Sequence, residues 1–214
     1  MASRGRGAHV KGSAKERAVA KILSEYSRQK VNRTMLSGAG AGMGDLDVRL
    51  TGDIFFPIGS DNVFSYEVKN HKDFQVADVF KNNQILASFW EQAVTDCRRV
   101  HDLGYCPMLI SHVDRDTDYC LVVYQPKFLK ELQKHPQMQY SIQPTHFVNP
   151  VGQIEYFTTV LFRLKDLVKY IPYKVMTQIY TGFDWDKQTQ VVGEPITAND
   201  DPKQAAQDAL KEIK

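Results

Sequence analysis

Apolar and polar residues along this chain follow two periods. Over residues 13–30, Val19, Ile22, Leu23 and Tyr26 recur at helical spacing and form one apolar stripe. Residues 48–56 and 63–69 alternate with period two instead. In the first, Val48, Leu50, Ile54 and Phe56 oppose Arg49, Thr51 and Asp53; in the second, Phe64, Tyr66 and Val68 oppose Ser65, Glu67 and Lys69. Both segments read as strands with one buried face, joined by the turn-forming run PIGSDN. A long helix is predicted over 76–102, with Val79, Phe80, Leu86, Trp90, Ala93, Val94, Cys97 and Val100 on its core side and Gly104 as its stop. Strands over 107–113 and 119–125 follow, then a short helix over 127–134.

Beyond Pro136 the pattern weakens. Residues 139–143 and 154–162 read as strands, and 164–170 as a short helix that Pro172 stops. A linker over 193–202 and a small amphipathic helix over 203–214 complete the chain. Large aromatics between Tyr170 and Trp185 read as packing rather than as a base-stacking platform.

Composition narrows the class. Of 214 residues 43% are apolar, enough for a core, and no apolar run approaches the roughly 20 residues of a membrane span. The basic start lacks the apolar stretch of a secretory signal. Three cysteines without metal-type spacing argue against a disulfide framework and for a reducing, cytoplasmic location. Charge is uneven. Residues 1–34 hold nine Lys/Arg against two Glu, a net of +7, whereas the other 180 residues carry a net of −5. A basic start on a mildly acidic body fits a polyanionic partner.

The chemistry concentrates in residues 52–69. A hairpin centred on Ser60 would place Asp53 opposite Glu67, with Cβ atoms about 4.5–5.5 Å apart, and Lys69 on the same face. Two carboxylates this close call for a cation, and oxygen ligands suit Mg²⁺, with Mn²⁺ as a substitute. Such an ion activates water for phosphodiester cleavage, and a neighbouring lysine offsets the developing charge. The competing explanation is a solvated cross-strand salt-bridge cluster. Ser13 and Glu16 have capping-box spacing, yet Glu16 also borders the buried stripe, which makes it a third candidate ligand. Asp45 and Asp47 are rival acids to Asp53. The glycine loop over 37–44 lacks the Lys-Ser/Thr ending of a phosphate-binding P-loop.

The order KGSAKER, Gly/Ser-rich loop, GDI, EVK, then a helix with Gln84 resembles the PD-(D/E)xK nuclease superfamily. Within it the pattern is most similar to archaeal-type Holliday junction resolvases and their virus-encoded relatives, over about residues 8–125. The resemblance implies an α/β fold, a mixed central β-sheet flanked by helices, Mg²⁺ dependence and a homodimer acting on branched DNA. It assigns Glu16, Asp53, Glu67 and Lys69 as the catalytic set, with Asp53, Glu67 and the Val68 carbonyl on the metal. It puts Ser13, Ser37 and the basic side chains Arg4, Arg6, Lys11 and Lys15 at the DNA, with Gln84, Asp45 and Asp47 in supporting positions. Gly52 stands where the family usually has Pro. The expected division is a flexible basic arm (1–12), a nuclease core (13–135), a C-terminal α+β extension (136–192) and a linker with a short helix (193–214). A phage setting fits, with location in the host cytoplasm. The rivals are a repair, recombination or restriction-like nuclease on non-junction DNA, and a catalytically silent DNA-binding protein of the same fold.

Overall fold

The structure, a computed structural model, describes residues 4–34, 52–71, 74–81, 83–113 and 116–195. The first helix, α1 (Arg4–Ser27), buries Val19, Ala20 and Leu23. It begins well before the expected start at Ser13, so the backbone from Arg4 onward is helical rather than a flexible arm. Once the Val19–Leu23 stripe is packed, each added residue gains a helical hydrogen bond, and glycines at 5, 7 and 12 slow this propagation without stopping it. Ser13 therefore sits inside the helix and is no N-cap, which removes the capping-box reading of Ser13 and Glu16. Arg28, in the left-handed region at φ 57°, ends the helix. Ser24 Oγ then donates to the Val31 carbonyl at 3.1 Å and turns the chain back along α1.

The next pairing departs from the expected hairpin. Strand β1 (Asn32–Arg33) pairs antiparallel with β2 (Ile54–Phe55), whereas β3 (Phe64–Asn70) pairs in parallel with β4 (Cys106–His112). The pleat of 63–69 was legible, but its partner lies some forty residues on, beyond the reach of a local pattern. Residues 48–51 of the expected first strand lie outside the described residues. Ser65 and Glu67 are also buried, so β3 is covered on both faces and the solvated salt-bridge explanation fails.

The sheet continues antiparallel through β5 (Asp118–Val123), β7 (Ile154–Arg163) and β6 (Tyr140–Val148), and β8 (Gln190–Val192) adds to β7. Among the described residues this is a mixed six-stranded sheet with β3 at one edge. Strand β6 runs further than expected, through Pro144 to Val148; proline is tolerated because β6 is the opposite edge.

One face carries α3 (Gln84–Arg99), whose Trp90 packs edge-on against Phe157. The other carries α1, α4 (Pro126–Leu132), α5 (Leu164–Tyr170) and α6 (Tyr173–Tyr180). There Phe56 stacks between Tyr66 and Tyr173, and Tyr180 meets Phe64 and Phe128. The aromatics Tyr173, Tyr180 and Trp185 are buried, as their size predicts.

The expected helix over 76–102 is two helices. A short α2 (Val76–Lys81) precedes α3, and Asn83 caps α3 by accepting from the Ile85 and Leu86 N–H groups. The break frees Phe80, which is 55% exposed instead of core. Leu86, Trp90, Ala93, Val94 and Cys97 are buried as predicted.

Candidate active site

Gly52 makes the approach to the edge of β3 possible. Its φ is +81°, and a Cβ there would lie 2.8 Å from the Tyr66 carbonyl oxygen. Proline, locked near φ −65°, could not take this conformation. The chain therefore comes close enough for the Asp53 N–H to donate to the Tyr66 carbonyl at 2.9 Å. Asp53 Oδ2 accepts the Val68 N–H at 2.8 Å, and the Asp53 carbonyl accepts the Thr34 N–H at 2.9 Å. Asp53 thus reaches the neighbourhood of Glu67 through three hydrogen bonds, without a hairpin ladder.

Asp53 and Glu67 are both buried, Glu67 to 2% exposure. Burial raises both carboxyls well above the ordinary range, and the Asp53 charge raises Glu67 further. For Asp53 the Val68 N–H opposes the rise, and the charge of Glu16 adds to it. Lys69 Nζ lies 2.5 Å from Glu67 Oε1 in an ion pair, and it favours the ionised form. The same ammonium donates to Gln92 Oε1 at 2.6 Å and sits 5.7 Å from the centre of the Phe89 ring.

Glu16, from α1, is buried and paired with Arg33 Nε at 2.9 Å. The structure so brings together Glu16, Asp53, Glu67 and Lys69 from α1, the segment before β2, and β3.

A family model described as "Phage putative PDDEXK endonuclease" matches residues 7–177. The chain belongs to this endonuclease family. No curated protein sequence matches the chain, and no solved structure matches it.

Nucleases of this kind generally use a divalent metal, and the residues expected to form the D…ExK elements, Asp53, Glu67 and Lys69, stand beside one another here. Among the described residues no three His, Cys, Asp or Glu side chains group at metal-binding distance. Two desolvated, mutually repelling carboxylates nevertheless fit a Mg²⁺-type ion, which binds through one or two carboxylates and keeps several waters. In a strand the N–H and C=O of one residue project to the same side. The Val68 carbonyl therefore faces the same edge as Asp53.

Other sequence candidates fall elsewhere. Lys15 is engaged by Asp118 at 2.5 Å and lies 3.3 Å from His112 Nδ1. Ser13 is buried on the inner side of α1. Gln84 is exposed at the first turn of α3 and Gln92, two turns on, makes the contact instead. Ser37, Asp45 and Asp47 lie outside the described residues, as do the side chains of Arg4, Arg6 and Lys11. Sequence reasoning missed Arg33, Gln92 and Asp96. Asp96 stands close enough to bear on Asp53 and Glu67, and burial raises its own carboxyl. The signal for Gln92 and Asp96 was their i, i+4 spacing on α3 beside the buried stripe, on the side where Lys69 arrives.

Proposed function

We propose that this chain is a metal-dependent endodeoxyribonuclease that cuts branched DNA as a homodimer. The observation that carries the chemistry is the buried Asp53–Glu67 pair beside Lys69 on β3. Asp53, Glu67 and the Val68 carbonyl would hold Mg²⁺, which supplies an activated water and charge neutralisation when bound. Val68 aims Asp53 through its N–H, so the carboxylate is oriented before any ion arrives. Lys69 brings a positive charge to the side of the site that faces α3, where it offsets charge gained by the phosphate in the transition state. Glu16, held by Arg33, borders the pair from α1 and orients water or substrate on that side.

Branched DNA rests on the KGS…E…GDI…EVK resemblance. A four-way junction is close to two-fold symmetric and needs two opposed cuts, which a C2 dimer with one site per chain supplies. The test is incubation of purified protein with four-way junction, flap, nicked and linear duplex DNA, with and without Mg²⁺. Paired cuts at the junction, dependent on Mg²⁺, from a species of about twice the chain mass support the reading. Linear duplex cut as fast as junctions by a monomer overturns the substrate and the dimer while leaving the nuclease. No cleavage of any substrate in Mg²⁺ or Mn²⁺ overturns the enzyme itself.

A further inference from the structure

The ammonium of Lys69 has two partners of different kinds. Glu67 Oε1, at 2.5 Å, belongs to a carboxylate that would also serve a metal ion. Gln92 Oε1, at 2.6 Å, belongs to a neutral amide on α3. A carboxylate in place of Gln92 would cancel the lysine's charge; an amide oxygen holds the same ammonium and leaves its charge to act on the substrate. This matters because a free lysine side chain samples many rotamers, and holding its ammonium at one place needs a partner.

An amide can present either end, and only the oxygen suits an ammonium. Asp96, one turn further along α3, decides the orientation. Gln92 hydrogen-bonds Asp96, and a carboxylate accepts only from the amide nitrogen, so the oxygen is left for Lys69. Arg99 Nη1 in turn donates to Asp96 Oδ1 at 2.8 Å. Residues 92, 96 and 99 share one helix face by their spacing, and Phe89, one turn earlier, lies beside the same ammonium.

We propose that Gln92 and Asp96 are positioning residues that keep the Lys69 ammonium at the cleavage site independently of Glu67. The inference deepens the nuclease reading and rests on it for its kinetic part.

Two measurements test it. In the metal-free protein without DNA, the rate at which acetic anhydride labels Lys69, read by mass spectrometry, should rise at least about threefold in Gln92→Ala and in the isosteric Gln92→Met, since an ammonium released from its partner regains rotamer freedom. In Mg²⁺, the same variants should lose about 10- to 100-fold in kcat at unchanged KM, the usual cost of removing a group that orients a site residue. Asp96→Leu, which cannot accept from the Gln92 amide, should match Gln92→Ala in both readouts. Unchanged Lys69 labelling overturns the proposal, and so does a raised KM with kcat kept, which would make Gln92 a substrate contact. Because labelling needs no cleavage, a wild-type protein that cuts nothing would sink the nuclease reading and still leave the Lys69–Gln92 contact judged by its labelling rate.

Discussion

Val68 and Asp53 are joined by one hydrogen bond, from the Val68 N–H to Asp53 Oδ2 at 2.8 Å, and this bond fixes the geometry of the site. Among the described residues β3 is the last strand on this side of the sheet, and its Val68 N–H is directed away from β4 toward Asp53. It holds a carboxylate against Glu67 although burial disfavours both charges and each charge disfavours the other. The site stores repulsion that a bound cation would relieve.

That repulsion makes metal-free stability depend on pH with a definite sign. Asp53 and Glu67 have folded pKa values above their unfolded ones, with Glu67 pushed up to about 8, so the folded protein binds the extra protons. Stability from these groups is complete below the ordinary carboxylate range and is lost as pH rises toward the raised values. The melting temperature of the metal-free protein should therefore fall between about pH 5 and pH 8.5, and millimolar Mg²⁺ should flatten the decline. A metal-free melting temperature that climbs over this interval would show that the carboxylates are not desolvated as described.

Substituting Glu67→Gln removes one of the two charges and keeps the shape. At pH 8 without metal the variant should melt higher than wild type by at least about 2 °C, a shift of roughly 1 kcal/mol for a chain of this size. It should also lose the stabilisation that Mg²⁺ gives wild type. Differential scanning calorimetry with and without Mg²⁺ measures both effects in one experiment, and a variant that melts lower under both conditions contradicts the idea of stored repulsion.

Much of this site was legible in the sequence, through a wrong intermediate. Period-two alternation placed Glu67 and Lys69 on one face of β3, and Asp53 does stand beside Glu67. The hairpin invoked to bring them together does not exist: β3 pairs with β4, and Asp53 arrives by way of Gly52 and single hydrogen bonds. Partner choice in a sheet is a tertiary outcome, and a positive φ at Gly52 leaves no mark on hydrophobic period. The alternation also suggested an exposed face at Ser65 and Glu67. It is buried because α3 covers it, and α3 itself was blurred into a longer helix until Asn83 separated it from α2. The helix α6 and the strand β8 were not read at all, since aromatic runs and three-residue strands carry little periodicity.

On the other side of the site, Arg33 neutralises Glu16 at 2.9 Å with both side chains largely buried. Arg33→Met removes this ion pair and should destabilise by about 2 kcal/mol in urea unfolding, below the 3–5 kcal/mol of a fully buried pair because Arg33 retains some exposure. Adding Glu16→Gln should recover part of the loss. A double variant no more stable than Arg33→Met alone would assign Arg33 a packing role instead.

We propose that the basic start of the chain contributes to DNA affinity rather than to cleavage. Replacing Arg4, Arg6 and Lys11 by Gln keeps the helix-forming character of α1 and removes three charges. Affinity should then fall for every DNA shape, and the slope of log K against log salt should shrink by up to about 2.7, near 0.9 per lost phosphate contact. Fluorescence anisotropy over 50–300 mM salt reads the slope, and an unchanged slope moves the phosphate-binding surface away from these residues.

The central claim is that Asp53 and Glu67 form one metal-dependent cutting site, and the most direct measurement is cleavage of a four-way DNA junction by wild type, Asp53→Asn and Glu67→Gln across a Mg²⁺ titration. The account predicts cleavage by wild type that rises with Mg²⁺ and stops with chelator, and a loss of at least about 10³-fold in both variants with junction binding retained, as expected when groups that stabilise the transition state are removed. Cleavage that survives in Asp53→Asn, or that proceeds in chelator, would contradict it.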